Sequence, residues 1–149
     1  MAVIASDDFS DAQTDSWGNA DVGGAWTIES PASQYDKAAG VGTIAIATGE
    51  TNTALLASVS AADPDITVRC QAVATGLDYE QGIMARGATQ STGYVGGLWF
   101  ETDNTVTAIL NKRVGAVETS ITFVLGQGTY ALNDWWWVRF QLQLSLIHI

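Results

Sequence analysis

The chain is poor in the residues that carry most redox and catalytic chemistry. Cys70 is its only cysteine and His148 its only histidine. One cysteine forms no internal disulfide, so cysteine usage reports no oxidising compartment. His148 sits in the tail Leu144–Ile149, so His-dependent triads and multi-His metal sites are excluded unless another chain contributes. Cations are scarce as well: six Lys or Arg stand against sixteen Asp or Glu, a formal net charge of −10. None of the six precedes Lys37, whereas Asp7, Asp8, Asp11, Asp15, Asp21, Glu29 and Asp36 do. Such a surface repels phosphate backbones, which excludes nucleic acid as an expected partner. No apolar run is long enough to insert in a membrane, and Met1–Asp8 has neither the basic region nor the long apolar stretch of a signal peptide. A phosphate-binding glycine loop is also missing. Gly93, Gly96 and Gly97 lie inside a strand-like run, where glycines mark a bulge or a close approach to the backbone.

What remains is the material of strands and turns. Apolar residues make up 47% of the 149 and charged residues 15%, with only two prolines. This balance predicts one globular domain over 1–149. Short alternating runs recur between turn signals, so the expected fold is an all-β, two-sheet antiparallel sandwich. Strands are expected at Val3–Ser6, Ala25–Glu29, Val41–Ala47, Ala54–Ser60, Ile66–Ala74, Gly82–Arg86, Tyr94–Phe100, Thr105–Asn111, Thr119–Leu125 and Trp135–Leu144. Turns are expected at residues 49–52, 63–65, 102–104 and 126–128. The 102–104 turn closes a hairpin between Tyr94–Phe100 and Thr105–Asn111. The irregular stretch Ser10–Gly24 reads as a long loop anchored by Trp17. Cys70 shares a strand face with Ile66, Val68 and Ala72 and reads as a buried, inert thiol.

The run from Trp135 to Leu144 is the most informative segment. With a period of two it separates Trp136, Val138, Phe140, Leu142 and Leu144 from Trp135, Trp137, Arg139, Gln141 and Gln143. The first set belongs on a core. The second mixes flat aromatics with hydrogen-bonding groups, which suits the apolar faces and hydroxyl rims of sugars. Trp137, Trp135, Arg139 and Gln141 are therefore the candidate ligand-binding residues. No catalytic residues are assigned. Glu101 and Asp103 have the residue types of a glycosidase pair, which needs two carboxylates about 5 Å apart on one face, but Asp103-Asn104 is better explained as turn chemistry. No cofactor is required. Calcium is the one ion the front end invites, through Asp7, Asp8 and Asp11, with Asp15 and Asp21 nearby. The spacing matches no recognised calcium loop, and the expected outcome is a solvated acidic surface.

Several of these residues together resemble a family. Asp7-Asp8-Phe9 leads to Trp17-Gly18, then Asp21-Val22-Gly23-Gly24-Ala25-Trp26-Thr27. Later come Gly40–Ile44, Met84-Ala85-Arg86, Tyr94, and finally Trp135, Val138 and Arg139. The series is similar to the concanavalin A-like, laminin-G-like jelly-roll domains of actinobacterial secreted proteins and of the tail proteins of their phages. The resemblance implies a jelly-roll sandwich acting as a non-catalytic binding or adhesion module, often for glycans, on a virion tail or cell surface. It carries over no ligand residues, since that family shares no single set. Trp17, Trp26, Trp135 and Arg139 match positions that are structural in the pattern, whereas Trp137 stands where a polar residue is more usual.

The family pattern continues beyond the Trp135–Leu144 strand, and the tail Leu144–Ile149 resembles adapter-derived translation in a metagenomic fragment. The expectation is a C-terminally truncated sandwich with an empty strand position, and hence a product prone to associate. Two further readings stay open: a purely structural domain of a larger assembly, and a glycoside hydrolase of the same architecture.

Overall fold

The computed structural model describes residues 2–28, 31–89, 91–115 and 117–143, with the backbone alone at Ala88. The described chain is all-β and antiparallel, with one 3-10 turn at Ala32–Gln34. No helix among the described residues is long and apolar enough to cross a membrane. The chain groups into two compact units, Met1–Ser60 and Ala61–Ile149.

In the first unit regular structure is brief. β1 (Thr27–Ile28) pairs with β4 (Ala54–Leu55), and β2 (Tyr35–Ala38) forms a hairpin with β3 (Val41–Ile44). Ala39 and Gly40, both at positive φ, make the two-residue turn between β2 and β3. The expected strand Val3–Ser6 does not form. Ser6 makes only an isolated bridge to Val22, because no neighbouring run offers that segment a ladder. The expected strands at 25–29, 41–47 and 54–60 shorten to β1, β3 and β4, and Glu29 lies outside the described residues. β2 was not expected. Its alternation is real, with Tyr35 and Lys37 buried and Asp36 and Ala38 exposed, but an inward lysine disguises it.

The second unit carries the long strands. β6 (Tyr79–Thr89), β7 (Thr92–Phe100), β8 (Thr105–Val114) and β9 (Val117–Thr129) form a four-stranded sheet in that order. β5 (Asp65–Gln71) and β10 (Trp135–Gln141) form a two-stranded ribbon, with β10 packed on β7 and β5 on β6. Between the two layers lie Ile83, Ala85, Leu98, Phe100, Val106, Val138 and Phe140, with Cys70, Trp136 and Leu142 packed against them. Gly96 makes this stacking work. A Cβ there would lie 2.6 Å from the Phe140 ring, so the glycine lets the phenyl seat directly on β7.

The β7–β8 hairpin forms as expected around residues 102–104. The expected turn at 126–128 is instead part of β9. Val106 faces Gly128 while Ala108 faces Val124, so Leu125, Gly126 and Gln127 bulge opposite Thr107. Gly126 at φ 67° supplies the conformation that the bulge needs. In the two-stranded ribbon β10 has β5 on one side only, and its other edge is unpaired among the described residues. The inward positions Trp136, Val138, Phe140 and Leu142 are buried or half-buried, whereas Trp135, Trp137, Arg139, Gln141 and Gln143 are exposed. Leu144, His148 and the rest of the tail lie outside the described residues.

Candidate functional site

The outer face of the β5–β10 ribbon brings the four expected ligand residues together. Register places Trp135 opposite Gln71, Trp137 opposite Arg69, Arg139 opposite Thr67 and Gln141 opposite Asp65. Trp137 is 70% exposed and Trp135 40%. Residues two apart on a strand are separated by about 6.8 Å along the backbone, so the two indoles stand as neighbours on the outer face. The Arg69 guanidinium carbon lies 4.2 Å from the Trp135 ring centroid and 5.8 Å from that of Trp137. A guanidinium over an indole is held by the ring quadrupole. It stiffens Trp135 and covers one of its faces, leaving Trp137 as the more open aromatic surface.

Arg139 is already committed. Its Nε and a terminal nitrogen donate to the two Asp65 oxygens at 2.8 and 2.6 Å, and Gln141 donates to the same carboxylate at 3.3 Å. The hydrogen bonds from Arg139, then its charge, hold the Asp65 carboxyl below its usual value. Arg139 is thereby fixed in direction, and its remaining donors face solvent. Arg69, Thr67 and Gln71 were not recognised from the sequence. Period two places them on the outer face of β5, but nothing in the chain announces that β5 pairs with β10.

Glu101 and Asp103 sit at the β7–β8 hairpin, not across a cleft. Asp103 accepts from the Thr105 amide at 2.9 Å and from its hydroxyl at 2.6 Å, and that hydroxyl leads the effects holding its carboxyl low. Glu101 accepts from the Thr107 hydroxyl. Cys70 is packed against the core, and desolvation pushes its thiol up to about 11, as befits an inert group.

At the front of the chain, Asp7, Asp8 and Asp21 place one carboxylate oxygen each within 4.8 Å of one another. Asp11, expected with Asp7 and Asp8, is instead drawn off by Lys37 at 2.6 Å. Lys37 is fully buried, lies 3.0 Å from Asp7 and donates to the Asn19 carbonyl at 2.9 Å. Burial alone would lower its pKa, but hydrogen bonds and attraction from Asp11 and Asp7 outweigh this and raise it. Asp7 also accepts from the Trp26 indole at 2.6 Å and the Phe9 amide at 2.8 Å. Asp21 accepts from the Asp8 amide and Asp8 from the Ser10 amide. Asp15 is turned to Asp36, which accepts from its amide. Asp7, Asp8 and Asp21 already serve as acceptors for their own loop. The same loop is anchored as expected by Trp17, whose indole donates to the Thr43 carbonyl and whose ring meets Phe9, Trp26 and Tyr35 edge-on.

Comparison with protein-family models, curated proteins and solved structures finds no match for this chain.

Proposed function

We propose that this chain is a non-catalytic binding module that recognises carbohydrate on the outer face of the β5–β10 ribbon, in a virion-tail or cell-surface protein. The observation that carries the proposal is Trp137: an indole 70% exposed, in register with Arg69 and flanked on its own strand by Trp135 and Arg139. Exposing so large an apolar ring on a strand whose other face is buried costs free energy unless something covers it. A sugar would lay its C–H face on the indole while Arg139, Gln141 and Arg69 meet its hydroxyls. The open outer face of the ribbon, with Trp135, Trp137, Arg139 and Gln141 all exposed, suits an extended glycan better than an enclosed small molecule.

The test is a glycan-array screen of the chain and its Trp137→Ala variant. Stacking on one indole contributes on the order of 1–2 kcal/mol, so the variant should lose about five- to thirtyfold in affinity. Binding that survives the substitution unchanged removes the proposed site. A second reading, a structural domain with no small ligand, is favoured by β9, where Val117, Ile121, Phe123, Val124 and Leu125 are all exposed along a sheet edge. An array blank for the unmodified chain, together with concentration-dependent self-association, would favour that reading.

A further inference from the structure

Among the arginines of the second unit, one stands apart. Arg86, Arg113 and Arg139 each hold a carboxylate, that of Asp63, Glu118 and Asp65 in turn. Arg69 holds none. Among the described residues its guanidinium has no carboxylate or carbonyl partner, and it meets the Trp135 and Trp137 rings instead. On the outer face of the ribbon the charged residues are Asp65 and Arg69 on β5 and Arg139 on β10. Two guanidiniums against one carboxylate leave this face with an uncompensated positive charge, opposite in sign to the chain as a whole.

An exposed arginine is ordinarily a solvated cation with many rotamers, and ordering it on a ligand costs free energy. Arg69 differs because it is already held. Its guanidinium carbon lies 4.2 Å from the Trp135 centroid, where the ring quadrupole attracts it. A guanidinium over a ring face keeps its N–H donors for partners in its own plane, and here none is spent on a protein acceptor among the described residues. Such a fork is complementary to a planar anion with two oxygens. Hydrogen bonds to an ionised acceptor are roughly twice as strong as those to a hydroxyl, so a neutral sugar would leave most of what this side chain offers unused.

We propose that the glycan taken by this face is acidic: a uronic acid chain whose carboxylate is held by Arg69 while the sugar ring lies on Trp137. The inference rests on the carbohydrate reading above and names the class of sugar. Trp137 faces Arg69 directly in register, and its ring centroid is 5.8 Å from the guanidinium carbon. A pyranose stacked on Trp137 therefore brings its substituents to the guanidinium, and a carboxylate carried on a ring carbon reaches it without an intervening arm. A sulfate ester adds an oxygen between ring and anion, which moves the charge outward past the fork. Arg139 is bound to Asp65 and Gln141 donates to the same carboxylate, so these two serve hydroxyls further along β10.

The experiment titrates the full chain with oligosaccharides of galacturonate, glucuronate, mannuronate and guluronate. Each is paired with its carboxyl-reduced counterpart, in which the acid becomes a hydroxymethyl group and the ring is unchanged. At least one uronate should bind about ten- to a hundredfold more tightly than its reduced partner, and only the acid's affinity should fall as salt is added. Arg69→Gln should bring the acid down to the level of its reduced counterpart and leave the latter unchanged. Arg69→Lys, which keeps the charge but not the fork, should fall between. Trp137→Ala should weaken both members of the pair. The comparison within a pair needs only the unmodified chain, so it stands even if a variant folds poorly. Equal affinity for acid and reduced forms, with both weakened by Trp137→Ala, overturns the acidic-sugar inference and leaves the carbohydrate reading in place. Binding of sulfated chains but not of uronates does the same. No binding to either member of any pair removes both, as does acid binding that Trp137→Ala leaves untouched.

Discussion

The two compact units hold themselves together in different ways. Up to Ser60 there are eight carboxylates and one cation, Lys37, a net of −7. From Ala61 onward there are eight carboxylates and five cations, a net of −3. The first unit has two-residue strands, one short hairpin and isolated bridges, so most of its backbone groups find no ladder partner. Side chains take that part: Asp7, Asp8 and Asp21 accept from loop amides, and Lys37 ties Asp7, Asp11 and Asn19 beneath the aromatic cluster of Phe9, Trp17, Trp26 and Tyr35. The second unit has strands of seven to thirteen residues closing a mainly apolar core. Where alternation is sustained, the ladder satisfies the backbone and the core stabilises it. Where it is not, each polar group needs its own partner, and the fold depends on a few side chains.

That contrast breaks most sharply at Lys37. Lys37→Ala leaves Asp7, whose side chain is 2% exposed, without its main counter-charge. Removing one partner of a buried pair costs about 3–5 kcal/mol. Urea denaturation should show this loss together with a changed near-UV signal from Trp17 and Trp26. The double change Lys37→Met with Asp7→Asn should recover much of it, because an unpaired charge costs more than an absent pair. A single substitution that costs under about 1 kcal/mol would mean the polar knot is ornamental.

In the second unit the matching break is steric. Gly96→Ala pushes a methyl into Phe140, and overpacking of this kind costs about 1–3 kcal/mol. Adding Phe140→Leu should restore part of the loss, measured by thermal unfolding. Non-additivity between the two is expected because they touch.

Cys70 sharpens the same comparison through pH. Its folded value, about 11, lies above the ordinary 9.0 because burial disfavours the thiolate. The stability linked to it is fully present below about 9 and is lost as pH rises towards about 11. Iodoacetamide should therefore label the native chain far more slowly than the urea-unfolded chain at pH 8. Fast native labelling would mean that the β5–β10 ribbon opens readily.

The smallest expected effect is at the front acids. Their oxygens are occupied by Lys37, Trp26 and loop amides, so the melting temperature should move by less than about 1 °C on adding millimolar calcium or excess chelator. A clear rise with calcium would show that Asp7, Asp8 and Asp21 hold an ion in preference to their own loop.

Part of the second unit was legible because β10 holds period two along its whole length. The inward and outward sets of Trp135–Gln143 follow the alternation residue by residue, and the 102–104 hairpin follows from its turn residues. β2 was hidden because Lys37 faces inward, and an alternation rule scores a charge as outward. The run through Gly126 and Gly128 reads as a turn in the sequence because glycine signals both turns and bulges. Only the partner strand distinguishes them.

By itself the sequence determined the strand class, the two faces of β10, the acidic surface and the inert setting of Cys70. Each of these depends only on near neighbours and composition. Tertiary structure alone decided that Asp65 meets Arg139 across 74 residues of chain, that Arg69 lies over Trp135, and that Asp11 pairs with Lys37 and not with Asp8. It also decided that the β5–β10 ribbon packs on β6 and β7 of the four-stranded sheet. Register and layer count arise from pairings between distant segments, and local periodicity fixes which way a side chain points but not what it meets.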